Sequence, residues 1–270
     1  MAGIAPTLNP THSHGSDLNE ALMVSDFYQH PDLYDALLPV GAHLPFYSAL
    51  ARQHPEGVLE LACGTGQLAV PIAGSGVPIV GLDRSAAMLA TARNRATAAG
   101  VTCDLVEGDM RAFDLGQRFG LVFIARNSLL HLSSAEDIVA AFKAVRNHLL
   151  PDGVFAFDVF NPDPSILARS KDQRFPVMTV DTATFGRLTV ESTHDYDAAE
   201  QTDRGTWFIS AGDERDKWVV SVVVRSIFPQ ELPLLLQAAG LRVLNRFGSL
   251  DKSPFGSGSR HQVCVCQAAA

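Results

Sequence analysis

From residue 58 onward, short apolar runs alternate with longer stretches of helical periodicity. Val58-Leu59-Glu60-Leu61 reads as a strand that ends in a glycine turn, and Gln67 to Ala73 continues as a helix. Ile79-Val80-Gly81-Leu82 reads as a second strand and Ser85 to Ala99 as a second helix, which Ser85 caps and Gly100 stops. Thr102 to Val106 is a third strand. Phe119 to Ala125 is a fourth, almost wholly apolar, as a strand covered on both faces must be. Ala135 to Leu149 is an amphipathic helix and Gly153 to Val159 a fifth strand. Strands separated by helix-length segments predict a parallel α/β sheet with right-handed crossovers.

The rhythm changes after Pro162. Between about Pro176 and Ile227 the pattern has a period of two, as in Arg187 to Thr193 and Lys217 to Val224. This predicts several antiparallel strands inserted after the parallel part. Pro229 to Ala239 reads as a last helix, with Leu241 to Phe247 and Gln262 to Cys266 as closing strands. Ahead of the sheet, residues 21–54 carry helical spacing broken by Pro31, Pro39 and Pro45. Residues 1–20, rich in Pro, Thr, His, Ser and Asn, read as a loose tail in which His12 and His14 are solvated. The division is therefore a tail at 1–20, an α/β domain with a helical N-terminal cap from 21–162 and 229–270, and an antiparallel β insertion at 163–228.

Composition narrows the partners. Of the 270 residues 47% are hydrophobic and the formal net charge is −8, with no Lys/Arg stripe of the kind that neutralises phosphates, so nucleic acid is not expected. No basic leader followed by an apolar run and no stretch of roughly 20 apolar residues occurs, so neither secretion nor a membrane span is expected and the cytoplasm is the expected location. Cys63, Cys103, Cys264 and Cys266 form no CxxC pair. They read as buried thiols, and no metal site is expected.

Four segments at successive strand ends carry candidate chemistry. Gly64-Thr65-Gly66 follows the first strand, where an α/β sheet binds ligands, and Gly64-x-Gly66-x-x-Ala69 also satisfies the dinucleotide pattern. Taken alone the turn separates an adenosine-type cofactor from none, not one such cofactor from another. Asp83 ends the second strand at roughly the 20-residue spacing of an acidic ribose ligand; the alternative is a loop aspartate at a helix start. Glu107-Gly108-Asp109-Met110 follows the third strand, where Asp109 can accept from an adenine amino group and Met110 can cover the ring. Arg126-Asn127-Ser128-Leu129-Leu130-His131-Leu132 follows the fourth. His131 is there either as a locally satisfied helix-start residue or as a group at the reaction site.

The order of these segments resembles the class I S-adenosylmethionine (SAM)-dependent methyltransferases, and within them the bacterial small-molecule branch that includes amino-sugar N-methyltransferases. The resemblance runs from about residue 28 to 267. It rests on Tyr34-Asp35, Phe46-Tyr47, Glu60 to Gly66, Gly81 to Ser85 with Met88-Leu89, Glu107 to Met110 and Asn127 to Leu132. Leu150-Pro151-Asp152-Gly153, Phe157-Asp158-Val159 and Gly248 with Ser253-Pro254-Phe255 also fit. It implies a seven-stranded Rossmann-like sheet with a C-terminal antiparallel strand and an inserted β lid, and SAM as cofactor with S-adenosylhomocysteine as product.

By that resemblance the backbone around Ala62, Cys63, Gly64, Thr65 and Gly66 contacts the methionine part, and Glu60 orders the turn by bonding backbone N–H groups. Asp83 holds the ribose, Arg84 and Met88 flank the adenine, and Gly108, Asp109 and Met110 read its edge. Arg126 and Asn127 line the sulfur end, and Tyr34 and Tyr47 close over the methionine. Arg126 departs from the apolar or aromatic residue usual before Asn-Ser; it contacts an anionic substrate group or points away.

The reaction so implied is methyl transfer to a nucleophilic N or O of a small molecule, driven mainly by positioning. His131 or Tyr34 would remove or relay the proton, with monomer or homodimer as the assembly. Asp195, Tyr196, Trp207 and Arg225 of the insertion either enter the pocket or serve ordinary sheet packing. An NAD(P)-dependent oxidoreductase would share the turn and Asp83 but should show a catalytic Tyr-x-x-x-Lys, which is absent. A SAM-binding protein without activity is the other alternative.

Overall fold

A computed structural model describes residues 24–269; the expected tail at 1–20, with His12 and His14, lies outside the described residues. The chain runs through β1 (Val24–Asp26), α1 (Pro31–Leu37), α2 (His43–Ala51), β2 (Val58–Leu61), α3 (Ala69–Gly74), β3 (Ile79–Asp83), α4 (Ala86–Ala99), β4 (Asp104–Glu107) and β5 (Phe119–Ile124). It continues through α5 (Ala135–Asn147), β6 (Leu149–Phe160), α6 (Pro164–Leu167), β7 (Phe175–Thr182), β8 (Gly186–Thr193), β9 (Tyr196–Asp197), β10 (Thr202–Ala211) and β11 (Glu214–Arg225). It closes with α7 (Leu232–Ala238), β12 (Leu241–Phe247) and β13 (His261–Ala268).

Seven strands form one sheet in the order β12-β13-β6-β5-β2-β3-β4. The five from β6 to β4 are parallel, and β13 enters antiparallel between β6 and β12. This is the α/β methyltransferase fold, a parallel Rossmann-like core with antiparallel strands added. Alternate residues of β5 serve opposite faces. Val122 and Ile124 join the cluster of Phe142, Phe155 and Phe157 under α5 and α7, whereas Leu121 and Phe123 join Phe46, Tyr47, Leu68 and Ile72 under α2 and α3. All six residues of β5 are buried. Each buried aromatic here contributes roughly 1.5–3 kcal/mol. Local signals agree with this packing: the Ser85 side chain accepts from the Met88 amide to cap α4, and Gly100 ends it at φ +64°.

A second, six-stranded sheet follows the path β1-β11-β10-β8-β7, with β9 on β10. The first strand departs from the expected helical spacing of 21–54: Val24 to Asp26 lies extended and parallel to Val219–Ser221. Three residues are too few for a stable helix turn, whereas an edge of β11 supplies ladder partners at once. Leu188, Val190, Ile209 and Val220 of this sheet pack against Phe27, Leu33 and Leu37, which glues α1 to the insertion. Among the described residues no helix is long and apolar enough to cross a membrane.

Candidate active site

The C-terminal ends of β2 to β6 open into a cavity of about 780 Å³, a size suited to a small ligand. The second sheet forms its far wall. The turn after β2 begins at Ala62 in the left-handed region (φ +57°), and Gly64 repeats it (φ +54°). A side chain at Gly64 would meet no neighbour within 4 Å, so the backbone there lies open to the cavity. At Gly66 a Cβ would come within 3.1 Å of both Ala92 and Val70; this glycine serves helix packing and does not line the cavity.

Asp83 ends β3 with both oxygens engaged: Oδ2 accepts from the Gly64 amide (2.7 Å) and Oδ1 from Ser85 (2.8 Å). Each oxygen keeps a second lone pair, enough for a diol. Burial pushes the Asp83 carboxyl up, and these backbone bonds pull it back in part. Arg84, Met88, Gly108, Asp109 and Met110 line the same side. Asp109 is gripped by Arg111 (Nη2–Oδ2 2.6 Å), which holds it below the usual carboxylate range. Arg111 also reaches Asp137 at 3.2 Å.

Glu60 is buried just before the turn; the Ala69 backbone N–H at the start of α3 stabilises its carboxylate, and Oε2 has no partner among the described residues. Burial drives its carboxyl well up. The Asn127 Oδ1 is likewise unpartnered, at a residue with φ +64°. Asn127 lines the cavity with Ala62 and Gly64, whereas Glu60 lines a small recess behind the same turn with Ala62 and Thr65. A buried polar oxygen without a partner is costly, and a ligand donor such as the ammonium at the methionine end of SAM would satisfy the one on Asn127.

Tyr47 does not close over that end. It is fully buried against Phe123, and its hydroxyl donates to Asp158 (2.6 Å). The Thr65 side chain donates to Asp35, which leaves only its backbone for a ligand. Cys63 is buried against β3. Arg126 neither awaits an anion nor frees its head: its guanidinium donates to the Leu38 carbonyl and lies 5.2 Å over the Tyr34 ring. Tyr34 lines the cavity, and burial raises its hydroxyl pKa above the ordinary tyrosine value. Of the four insertion residues, Trp207 alone lines the cavity; Arg225 is buried and tied to Glu231 and Gln201.

His131 faces the cavity from the turn after β5. Its Nδ1 lies 3.0 Å from the Val223 carbonyl, which can only accept, so that nitrogen carries the proton. Nε2 is then an acceptor, and the Tyr28 hydroxyl donates to it at 2.5 Å. Burial lowers the His131 pKa and raises that of Tyr28. Sequence reading passed over Tyr28 as a site residue because its strand contact and its partner 103 positions away lie outside local pattern. It also passed over Asp158, buried at the end of β6, which accepts from Tyr47, the Arg126 amide and His43. A carboxylate inside the apolar run Phe155 to Phe160 was the available signal.

Comparison with known proteins agrees with this geometry. Residues 58–153 match the methyltransferase domain family. A dTDP-3-amino-3,6-dideoxy-alpha-D-glucopyranose N,N-dimethyltransferase of Streptomyces fradiae is 41% identical over 40% of this chain, which spans 42% of that relative's length. The cypemycin N-terminal methyltransferase of a Streptomyces species is 26% identical over 87% of this chain and 93% of its own. Among solved structures, the CcbJ methyltransferase of Streptomyces caelestis superposes with a TM-score of 0.76 at 28% identity, covering 91% of this chain and 99% of its own. The sheet order and these likenesses agree: residues 58–153 carry a methyltransferase domain, within a chain that has the α/β fold of SAM-dependent methyltransferases.

Proposed function

We propose that this protein transfers the methyl group of SAM to an amino nitrogen of a small molecule, a sugar amine by analogy with its relatives. The observation that carries the reading is the pairing, in one cavity, of a cofactor wall at Gly64, Asp83 and Asp109 with the Tyr28–His131 hydrogen bond. SAM, when bound, supplies the activated methyl. Asp83 would hold its ribose, Met88 and Met110 its adenine, and Asn127 its methionine end.

The remaining chemistry belongs to the chain. An amine that attacks must shed a proton. In this reading the Tyr28 oxygen takes it while the Tyr28 proton passes to His131 Nε2, leaving an imidazolium braced by Val223. The acceptor would rest on the opposite wall, where Phe160 is 53% exposed beside His261 and faces Trp207, Val222 and Val224. Closing the two sheets around it excludes water and fixes the line of attack; such positioning is worth about 7–11 kcal/mol. The chain would act as a monomer or homodimer in the cytoplasm, without nucleic acid or membrane; four free thiols accord with a reducing compartment. No observation favours the oxidoreductase alternative.

The test is incubation with S-[methyl-³H]SAM and a panel of amino sugars, free and dTDP-linked. Label on an amino nitrogen supports the reading; no transfer to any amine in the panel or in a metabolite extract overturns it.

A further inference from the structure

The Asp35 carboxylate gathers three hydrogen bonds outside the reaction path. Its Oδ1 accepts from Thr65 Oγ1 and from Gln67 Nε2, each at 2.6 Å, and its Oδ2 from Arg95. Thr65 and Gln67 belong to the cofactor turn and Arg95 to α4. Asp35 itself sits on α1, whose other polar contact is of the same kind. The Leu38 carbonyl just past the helix accepts from Gln67 (3.2 Å) and from Arg126. Every polar tie on the end of α1 thus comes from a segment that forms the cofactor site.

The apolar side of α1 tells a different story. Leu33 and Leu37 are buried with Leu188, Val190, Ile209 and Val220 of the second sheet. That sheet supplies Trp207, Val222 and Val224 to the far wall and the Val223 carbonyl to His131. A helix of seven residues has little stability of its own. It is held on one side by the turn that meets the cofactor and on the other by the wall that meets the acceptor.

We propose that Asp35 is a positioning residue: it latches the N-terminal cap to the Thr65–Gln67 turn, so that filling the cofactor site rigidifies α1 and, through it, the acceptor wall. The inference rests on the SAM-binding reading above. Three charge-assisted hydrogen bonds meeting on one carboxylate are the strong kind, and their loss leaves Thr65 and Gln67 free to relax the turn. Arg95 is two-thirds covered, so removing its one carboxylate partner among the described residues is felt locally and not across the sheet.

The experiment uses the full chain and S-adenosylhomocysteine as probe. Calorimetry gives its affinity, and amide exchange with and without it is followed over residues 31–38 and across the interior of β5. In the wild type, the probe is expected to slow exchange in 31–38. In Asp35→Asn, affinity is expected to fall roughly tenfold and the slowing at 31–38 to vanish, while exchange in β5 and the unliganded unfolding midpoint stay near wild type. Thr65→Val removes one arm alone and is expected to give the same changes in smaller measure, which keeps the test open should Asp35→Asn fold poorly. Wild-type affinity with wild-type slowing in both variants overturns the latch. A wild type that binds no probe overturns the SAM-binding reading on which it rests.

Discussion

At Asp83 two backbone amides fix the carboxylate before any ligand arrives, so its spare lone pairs are aimed at no cost in side-chain ordering. Asp83→Ala removes both the ribose contact and the brace on Gly64; S-adenosylhomocysteine affinity measured by calorimetry is expected to fall by roughly a hundredfold, since two hydrogen bonds to a charged group are lost. Unchanged affinity would remove Asp83 from the site. Tyr28 and His131 form the other residue-scale device. Tyr28→Phe is expected to lower kcat by about a hundredfold or more while leaving cofactor affinity near wild type. Because burial sets the His131 pKa below the ordinary imidazole value of about 6.5, kcat should hold flat through neutrality and fall only on acidification past that value. The same shift acts on stability. The unfolded ring takes its proton at a higher pH than the folded one, so this contribution is present at neutral pH and is lost as the pH falls. A kcat that drops on the alkaline side of 6.5, or a fully active Tyr28→Phe, would contradict the proton path.

Elements differ in how far the sequence announces them. The parallel strands were plain because each is short, apolar and closed by polar residues or glycine, and because their alternation with helices admits one topology. That Asp83 and Glu107 to Met110 share one cavity was legible too, since they sit where strands stop. What pattern could not convey was direction. Tyr47 and Tyr34 share a cap with the same aromatic spacing, yet Asp158 draws the Tyr47 hydroxyl into the core and Tyr34 alone reaches the cavity. Nor could pattern tell that Glu60 keeps one oxygen without a partner among the described residues. Β1 was hidden for another reason: three residues gain their conformation from β11, nearly 200 positions on in the chain, a contact with no local trace. The turn itself gives the element-scale prediction. Gly64→Val forces a β-branched residue to φ +54°, at a cost of about 1–3 kcal/mol, and puts methyl groups into the open side of the turn. The variant is expected to keep its far-ultraviolet circular dichroism and lose cofactor binding; full affinity would mean that the turn does not touch the ligand.

Across the whole molecule, the first sheet brings Gly64, Asp83 and Asp109 and the second Trp207, Val222 and Val224 to one cavity, with α1 and the Tyr28–His131–Val223 chain of hydrogen bonds spanning the gap. The second sheet was legible as antiparallel strands, but its use was not, because Trp207 and Val222 carry no sequence mark that separates a pocket wall from ordinary sheet packing. The central claim is that the cavity between the sheets is built for SAM. Thermal unfolding of the purified protein tests it most directly, since a ligand that binds only the folded state at a hundred times its Kd adds about 2.7 kcal/mol of stability. The midpoint is expected to rise with SAM and with S-adenosylhomocysteine and to stay in place with NADH. A rise with NADH and none with SAM would contradict the account.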